Sequence, residues 1–398
     1  MKILVLGADG YLGWPTCLHF SIRGHEVHAL DSCVKRRLLF DLGRNTLVHV
    51  HGFQDRISAW TSMTKKKIEG WECSLIGSYA RLSKILHTIR PDVIVHYAEQ
   101  PSAPFSMMNA ASAVYTQENN VLGTLNLMFA VKEECPEAHI IKLGTMGEYG
   151  TPGIVIEEGW LNITHRGKTA RVLYPKSPGS FYHASKIHDS TNLEFGCRAW
   201  GLRVSDLNQG VVYGFSTPET EKHSYLGTML YYDDIFGTVL NRFIHQAAVG
   251  HPLTVYGRGG QTRGFINIID TMKCVEIAAL NPADPGEFRV FNQFTETYSV
   301  SALAGVVEKA ATALGMEVKR ENIENPRVEA ESHYYDAVNS GLKALGHRPT
   351  RLTIDMVKEM LRVTVENKGR IDTKAIRPSV KWREKGWEDP CAVAPSVL

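Results

Sequence analysis

Short apolar segments alternate with amphipathic segments along the first half of this chain. The apolar runs predict strands over residues 2–6, 26–30, 93–97 and 139–143, and a further strand is expected over 203–207. Segments with helical spacing lie between them, over about 12–23 and 78–89, around 119–124 and around 182–186. Strands that alternate with helices are typical of a parallel sheet with helices on both faces. We therefore expect an α/β fold with a doubly wound parallel sheet.

The alternation weakens after residue 208, where segments rich in Gly, Pro and Asn interrupt shorter helices and strands. This change predicts a first domain over residues 1–208, which also receives segments near 237–270, and a second domain over 209–398. We expect the second domain to be smaller, to pack across the strand ends and to bind the substrate.

A glycine-rich turn directly follows the first apolar strand. Glycines at such a turn let the backbone approach a pyrophosphate, which then lies at the positive end of a helix dipole. The order of strand, glycine turn and helix predicts a Rossmann-type dinucleotide site. The expected cofactor contacts in this turn are Gly7, Asp9, Gly10, Tyr11, Leu12 and Gly13.

Asp31 ends the second predicted strand, at the distance where a carboxylate binds a ribose hydroxyl. It would repel the 2′-phosphate of NADP and accept hydrogen bonds from the diol of NAD. The neighbouring Lys35, Arg36 and Arg37 leave an alternative open, because arginines near this position can accommodate a 2′-phosphate. A basic triplet is also typical of a solvated helix start. We expect NAD.

The composition excludes several classes of partner and site. The 398 residues include 43% hydrophobic and 22% charged residues with a net charge of +2, which indicates neither a nucleic-acid nor a membrane partner. The seven cysteines form no Cys-x-x-Cys pair, so we expect no disulfide framework and no metal site. Free thiols are typical of a reducing compartment. The first predicted strand starts at the initiating Met, so we expect no signal or transit peptide. Both observations predict a cytoplasmic protein.

Tyr182 and Lys186 are four residues apart, and such residues lie on the same face of a helix. A tyrosine phenol has an ordinary pKa near ~10, and a neighbouring ammonium group favours the phenolate at lower pH. The pair can therefore act as the base in a hydride transfer. Two such residues alone are also typical of a solvated helix face, so the surrounding motifs decide the interpretation.

Several motifs occur in the order that is characteristic of one family. They are the glycine turn, Asp31, Asn120, Thr145, the Tyr182–Lys186 pair and the segment 208–214. This order resembles the extended short-chain dehydrogenase/reductase family, which includes nucleotide-sugar epimerases and dehydratases. The resemblance implies that Thr145, Tyr182 and Lys186 oxidise a sugar hydroxyl. It also implies that Asn120, Tyr182 and Lys186 belong to the cofactor site.

Further segments resemble a narrower group, the UDP-sulfoquinovose synthases. These segments are 96–100, 102–104, 143–153, 206–210, 250–264 and 325–331. The resemblance implies that UDP-glucose and sulfite are the substrates and that NAD oxidises C4, water leaves C6, sulfite adds at C6 and C4 is reduced again. A UDP-glucose 4-epimerase, a 4,6-dehydratase and a non-catalytic NAD-binding protein are the alternatives, and the last would be expected to lose Tyr182 or Lys186.

The groups that handle the C5 and C6 protons are a separate question. Dehydratases of this family carry two carboxylates where this chain has Met146 and Gly147. His183 and Glu148 are the nearest titratable candidates, and His183 lies ~100° around the helix from Tyr182, so it faces another part of the substrate. The alternatives are a packed histidine and a glutamate that only braces its turn.

The resemblance also implies contacts for the UDP-sugar and an assembly. Arg263 and Arg327 would bind the diphosphate, because guanidinium groups suit phosphate oxygens. Expected sugar or phosphate contacts are Gln100, Ser102, Asn208 and Gln209, together with the segment 103–106. Relatives mostly pair through helices that include the one with Tyr182, so a homodimer is expected. Sulfite could be free or supplied by a sulfite-donating partner.

Overall fold

The computed structural model describes residues 1–327, 329 and 334–382. The strands within these residues are β1 (Lys2–Leu6), β2 (Glu26–Asp31), β3 (Ile68–Glu72), β4 (Val93–His96), β5 (His139–Thr145), β6 (Trp160–His165), β7 (Lys168–Leu173), β8 (Arg203–Gln209), β9 (Val211–Tyr213), β10 (Leu253–Tyr256), β11 (Thr262–Asn267), β12 (Phe288–Gln293), β13 (Glu296–Ser299) and β14 (Arg320–Ile323).

The α-helices of the same residues are α1 (Gly13–Ile22), α2 (Val34–Asp41), α3 (Phe53–Thr64), α4 (Tyr79–Ile89), α5 (Ala103–Ser106), α6 (Ala110–Gln117), α7 (Gly123–Glu134), α8 (Phe181–Trp200), α9 (Val239–Ala248), α10 (Ile268–Leu280), α11 (Val300–Ala313), α12 (Gly341–Ala344) and α13 (Ile354–Glu366). A π-helical turn over Glu118–Leu122 joins α6 to α7.

The main sheet has seven strands in the order β12-β8-β5-β4-β1-β2-β3, and every pair in it is parallel. The chain proceeds from β1 to β3 in one direction and then returns to add β4 on the other side of β1. Ligands of such sheets bind beyond the carboxyl ends of the strands at this reversal. The predicted α/β fold of Rossmann type is confirmed.

The alternation along β1 explains why helices cover both faces. Ile3 and Val5 point to one face, where they join the core that contains residues of α1, α3 and α10. Leu4 and Leu6 point to the opposite face and join the core built with α4, α7 and α8. Successive side chains of a strand point to opposite faces, so a fully apolar strand requires helices on both.

A third core lies in the C-terminal part of the chain. It contains apolar residues of α9, α11 and α13 together with β10, which pairs with β14. A second small sheet has the order β13-β11-β9. Strand β12 nevertheless pairs with β8 in the main sheet, so the chain returns to that sheet after residue 208. The predicted domain boundary at 208 stays a prediction.

The predicted strands of the main sheet agree with the structure at their starts, and β5 and β8 continue two residues further, to Thr145 and Gln209. The interpretation of the basic triplet as a solvated helix start is wrong for two of its three residues. Lys35 places its ammonium group 2.8 Å from the centre of the Phe236 ring, and Arg36 binds Asp9. Among the described residues, the helices are too short or too polar to cross a membrane.

Candidate active site

A cavity of about 770 Å³ opens at the carboxyl ends of the main strands, where the strand order reverses. The predicted site residues on its wall are Gly7, Asp9, Gly10, Tyr11, Leu12, Gly13, Asp31, Gln100, Ser102, Thr145, Tyr182, His183, Gln209, Arg263 and Arg327. The fold thus brings most of the predicted cofactor and substrate residues to one cavity. Four other predicted residues are buried behind the wall and do not line the cavity: Asn120, Glu148, Lys186 and Asn208.

The glycine turn is shaped for a close approach of backbone and ligand. Gly7 has a φ of +76°, and a Cβ there would lie 2.6 Å from the backbone of Tyr97. A Cβ on Gly13 would lie 2.0 Å from the carbonyl oxygen of Gly7, so the first helix packs directly on the turn. The space beside these glycines fits the pyrophosphate of a dinucleotide, whose charge the N-terminus of α1 favours.

Asp9 anchors the turn through two arginines. Its carboxylate accepts hydrogen bonds from Arg36, at 2.6 and 2.8 Å, and from Arg56, at 2.7 Å. The Arg56 guanidinium is fully buried and lies 4.3 Å from the Trp14 ring. Asp9 was predicted as a direct cofactor contact, and the structure adds a role in holding the turn.

Asp31 lies at the end of β2 beside the glycine turn. Its carboxylate accepts hydrogen bonds from the backbone amides of Asp9, at 2.8 Å, and Cys33, at 2.7 Å. Burial, with a further contribution from the Asp9 carboxylate, raises the pKa of Asp31 to about 6. Each carboxylate oxygen can accept a second hydrogen bond, so Asp31 fits the diol of an adenosine ribose.

Tyr182 and Lys186 lie on one face of α8, as their spacing predicts. The Lys186 ammonium nitrogen is 6.0 Å from the centre of the Tyr182 ring and donates to the carbonyl oxygen of Leu143 at 2.5 Å. Thr145 ends β5 and forms a hydrogen bond with the Tyr182 side chain. The three residues of the predicted hydride site are therefore adjacent.

The electrostatics of Tyr182 differ from the expectation. Lys186 was expected to lower the pKa of the phenol, but its ammonium group forms an ion pair with Glu99. Burial and the Glu99 carboxylate raise the pKa of Tyr182, while the Lys142 ammonium and the Thr145 hydrogen bond act in the opposite direction. With these neighbours the phenol is protonated at neutral pH.

Glu148 braces the turn that follows β5, which is the alternative that the sequence left open. The turn is a capping box: the backbone amide of Thr145 donates to Glu148 at 3.2 Å, and the Thr145 hydroxyl accepts from the backbone amide of Gly147 at 3.1 Å. Glu148 is fully buried and pairs with Lys176 and Lys142. These ammonium groups outweigh burial and hold the pKa of Glu148 below its ordinary value.

His183 lines the cavity one residue after Tyr182. Its Nδ1 atom lies 3.1 Å from the hydroxyl of Ser180, the residue that caps α8. Its Nε2 atom faces Gly147, where a Cβ would lie only 2.3 Å away. Burial and the positive charge of Arg327 lower the pKa of His183 to about 3, so the imidazole is neutral at pH 7. A neutral imidazole on the cavity wall can accept a proton.

Gln100 and Ser102 form the wall beyond β4, and Asn120 supports them from behind. Asn120 accepts a hydrogen bond from the Gln100 backbone amide at 2.8 Å and donates to the Ser185 hydroxyl at 2.9 Å. It thereby ties the loop after β4 to α8. Asn120 was predicted to contact the cofactor, and its buried amide instead connects two walls of the site. The Ser102 hydroxyl caps α5.

The two predicted contacts at the end of β8 face different surroundings. Gln209 lines the cavity, and its amide donates to the Thr271 hydroxyl at 3.1 Å. Asn208 points the other way, because neighbouring residues of a strand alternate. Its amide donates to the Tyr149 hydroxyl at 2.7 Å inside the core. The prediction that Asn208 contacts sugar or phosphate is not supported by this position.

Arg263 and Arg327 extend the cavity toward the C-terminal part of the chain. Arg263 forms an ion pair with Glu329, and both side chains line the cavity. Arg327 lies 5.3 Å from the centre of the Trp382 ring. The predicted motif over 325–331 extends into positions 328, 330 and 331, which lie outside the described residues. Two guanidinium groups at this end of the cavity are suited to an anionic ligand.

Glu99 is a residue of the site to which the sequence patterns assigned no role, although it falls within the segment 96–100. It lies just beyond the carboxyl end of β4, lines the cavity and is almost fully buried. A polar residue at the carboxyl end of a buried parallel strand was the signal that identified Asp31. The same signal applied to the strand 93–97 would have identified Glu99.

Residues 3–292 match the model of the NAD dependent epimerase/dehydratase family. This match confirms the prediction of NAD as the cofactor and of an NAD-dependent enzyme. The chain is also similar to solved structures of UDP-glucose 4-epimerases. That of Thermotoga maritima, solved with UDP-glucose, has a TM-score of 0.67 at 18% identity and covers 93% of this chain and 99% of that one. That of Thermus thermophilus, in complex with NAD, has a TM-score of 0.64 at 20% identity, with the same coverage of 93% and 99%.

Two curated relatives are similar over nearly the whole chain. The chloroplastic UDP-sulfoquinovose synthase of Spinacia oleracea is 51% identical over 385 residues, which are 97% of this chain and 80% of that protein. The UDP-sulfoquinovose synthase of Sulfolobus acidocaldarius is 41% identical over 391 residues, which are 96% of this chain and 98% of that protein. The chain therefore belongs to the NAD dependent epimerase/dehydratase family and, within it, to the UDP-sulfoquinovose synthases.

Proposed function

We propose that the chain converts UDP-glucose and sulfite to UDP-sulfoquinovose. The observation that carries this proposal is the identity of 51% and 41%, over nearly the full length, to two synthases of this name. The cavity supports it, because a glycine turn, Asp31 and the Thr145–Tyr182–Lys186 group line or adjoin one space.

The reaction must replace the C6 hydroxyl of glucose by a sulfonate, although C6 carries a poor leaving group. Oxidation of C4 to a ketone makes the C5 proton acidic and allows water to leave C6. Sulfite then adds to C6 of the conjugated alkene, C5 regains a proton and C4 is reduced. The sum is UDP-glucose plus hydrogen sulfite giving UDP-sulfoquinovose plus water, with no net oxidation of the cofactor.

Tyr182 accepts the proton of the C4 hydroxyl, and Thr145 holds that hydroxyl by a hydrogen bond. Bound NAD supplies the hydride acceptor and a positive charge that favours the Tyr182 phenolate. Lys186 acts from behind the cavity wall, where it keeps an ammonium group near the phenol. The hydrogen bond between Thr145 and Tyr182 and the 6.0 Å between the Lys186 nitrogen and the Tyr182 ring support these roles.

His183, and not Glu148, transfers the protons at C5 and C6. His183 lines the cavity on the side of Tyr182 that faces Gly147. Glu148 is buried behind the wall and is held by two lysines and its own turn. A carboxylate in that position has no path to the sugar, whereas the His183 imidazole has one.

Arg263 and Arg327 bind the diphosphate of UDP-glucose, and Gln209, Gln100 and Ser102 shape the sugar pocket. The location of both guanidinium groups on the cavity wall supports this assignment. Glu329, which pairs with Arg263, must share that arginine with the diphosphate.

Deuterium exchange separates this function from a simple epimerase. Incubation with UDP-glucose in deuterated water without sulfite should introduce deuterium at C5, because the C4 ketone makes that proton exchangeable. Added sulfite should give a product with a C6 sulfonate and no net change in NAD. Mass spectrometry over time, with absorbance at the wavelength of reduced nicotinamide, measures both.

The Tyr182→Phe variant is the control for this experiment. It should bind UDP-glucose almost as the parent does and lose exchange by a factor of ~10² to 10⁴, the usual effect of removing a general base. UDP-galactose as the sole product, without C5 exchange and without a response to sulfite, would instead identify an epimerase.

The same proposal includes a homodimer that forms through α6 and α8. These helices pack on each other. Large apolar side chains on them are half exposed: Val114, Phe181 and Phe195 at 54%, 52% and 53%. A second copy of the same face would remove these side chains from water. The source of sulfite, free or supplied by a donating partner, stays a prediction. The cytoplasmic location also stays a prediction, and the spinach relative is named chloroplastic.

Sedimentation of the Phe195→Glu variant tests the dimer. A buried glutamate would disfavour association, so the variant should sediment as a monomer. Phe40→Glu is the matched control, because Phe40 is an exposed phenylalanine on α2, which is neither of the two helices of the proposed interface. A wild-type protein that sediments as a monomer would overturn this part of the proposal.

A further inference from the structure

Glu99 forms an ion pair with Lys186 at the wall of the cavity. Both side chains are almost fully buried, with 2% and 3% of their surface exposed. Taking a charged carboxylate out of water is costly unless it is paired. A buried carboxylate next to the reacting groups therefore requires an explanation, and the roles proposed above for Tyr182 and Lys186 do not use it.

The Lys186 ammonium is held by two partners. It forms an ion pair with the Glu99 carboxylate and donates a hydrogen bond to the carbonyl oxygen of Leu143, at 2.5 Å. A lysine side chain has four rotatable bonds, and two fixed partners hold its charge in one place. That place lies 6.0 Å from the centre of the Tyr182 ring.

Other titratable groups lie around the pair, on the strands, the helix and the turn that pack against it. They are His96 of β4, Lys142 of β5, Glu148 of the turn after β5, Asp189 of α8 and Asp206 of β8. Lys142 pairs with Glu148 and Asp206, at 3.6 and 3.5 Å, so those two carboxylates already have a cation. Burial and the charges of Lys186 and Lys142 lower the pKa of His96 to about 3.

Asp189 is the remaining carboxyl near Lys186. Burial and the Glu99 carboxylate raise its pKa well above the ordinary value. His96 has a pKa lowered to about 3 and lies 4.0 Å from Glu99. Among the described residues, Glu99 is the carboxylate that is in ion-pair contact with the Lys186 ammonium.

We propose that Glu99 is a positioning residue for hydride transfer, because its carboxylate holds the Lys186 ammonium group in place beside Tyr182. This inference rests on the roles proposed for Tyr182 and Lys186. Glu99 also contributes negative charge next to the phenol, so the residue affects both the location of the cation and the proton affinity of the base.

The Glu99→Gln variant tests the proposal because glutamine keeps the shape and removes the charge. Loss of a negative charge near the phenol should lower the pH at which Tyr182 ionises by roughly one to two units. NMR of the NAD-loaded protein with ¹³Cζ-labelled tyrosine measures this titration, because the charge of bound NAD favours the phenolate, and Tyr182→Phe identifies its signal. The measurement needs no substrate, so it stays decisive if UDP-glucose is not the substrate.

A second measurement follows the reduction of bound NAD by UDP-glucose in a single turnover. In Glu99→Gln the acidic limb of its pH profile should move to lower pH by a similar amount, and the rate on the plateau should fall about tenfold because Lys186 is no longer held. Glu118→Gln is the matched control, since Glu118 is an exposed glutamate of the π-helical turn, and it should leave both measurements unchanged.

Glu99→Asp keeps the charge but draws the carboxylate away from Lys186. The pH at which Tyr182 ionises should stay within about 0.3 pH units of the wild-type value, and NAD reduction should slow about tenfold. This variant also decides the proposal if Glu99→Gln does not fold. An unchanged titration and pH profile in folded Glu99→Gln, or a wild-type rate in Glu99→Asp, would overturn the positioning role.

Discussion

Four carboxylates near the cavity have different neighbours and therefore different roles. Asp9 is neutralised by two arginines and holds the glycine turn. Glu148 is neutralised by lysines and holds the turn after β5. Glu99 pairs with Lys186. Asp31 accepts hydrogen bonds from backbone amides and is the carboxylate placed for the cofactor ribose.

The raised pKa of Asp31 predicts that the affinity for NAD depends on pH. The carboxylate accepts hydrogen bonds from the ribose when it is ionised, and its pKa of about 6 in the folded protein lies above the ordinary value. Affinity should therefore be high above pH 7 and decrease as the pH falls through 6, by about tenfold at pH 5. Titration calorimetry at a series of pH values measures this change.

The Asp31→Asn variant is its control. Asparagine does not ionise, so the variant should bind NAD about 10- to 100-fold more weakly at neutral pH and show little change between pH 5 and 7.5. A wild-type affinity that is constant over this range would show that Asp31 does not contact the ribose as proposed.

At the scale of elements, the turn after β5 meets the first turn of α8. The capping box holds Gly147 in place, and Ser180 caps α8 and approaches His183. The imidazole occupies the space that any side chain at position 147 would need, because a Cβ there would lie 2.3 Å from Nε2. The imidazole of His183 can therefore occupy this position only because residue 147 is a glycine.

The Gly147→Ala variant should displace His183 and slow the C5 and C6 steps. We expect C5 exchange and sulfonate formation to fall by ~10² to 10⁴, as in His183→Ala, while reduction of NAD by UDP-glucose changes only a few-fold. The double variant should be no slower than either single one. Deuterium incorporation and absorbance of reduced nicotinamide measure the two steps separately.

Gly179→Ala is the matched control for this prediction. Gly179 also lies on the cavity wall before α8, but a Cβ there would remain 3.7 Å from the imidazole. It should retain near wild-type exchange. Equal losses in Gly147→Ala and Gly179→Ala would indicate a general disturbance of the wall and contradict the specific role of position 147.

At the scale of the whole molecule, the cavity joins the main sheet to the C-terminal elements. Arg327 comes from the C-terminal part and acts on His183 of α8: burial and the Arg327 charge lower the pKa of the imidazole to about 3. A bound diphosphate would neutralise Arg327 and Arg263. The substrate would thereby alter the proton affinity of a residue on α8.

We predict that saturating UDP raises the pKa of His183. NMR of histidine ring protons between pH 5 and 8 measures this, with His183→Ala to assign the signal. His183 should stay neutral down to pH 5 without UDP, and with UDP its ring-proton shifts should begin to change at a higher pH than in the free protein. The Arg327→Gln variant should show a raised pKa without UDP. An unchanged titration in the complex would contradict the electrostatic coupling.

Local patterns in the sequence determined much of the main sheet. The apolar runs of β1, β2 and β4 reveal strands because most of their partners on both faces are apolar as well. Strand β3 was not predicted from the pattern, since its sequence Ile-Glu-Gly-Trp-Glu has few apolar residues and lies at the edge of the sheet. Edge strands need fewer apolar side chains, so periodicity identifies them poorly.

Within the site, the sequence by itself determined the glycine turn, Asp31 and the shared face of Tyr182 and Lys186, because each depends on residues a few positions apart. Only the tertiary structure decided that Glu99 pairs with Lys186, that Lys142 and Lys176 hold Glu148 and that Asn120 and Asn208 lie behind the wall. Periodicity indicates which face of an element is buried. The partner of a buried charge comes from a distant segment, and the packing of the whole chain selects it.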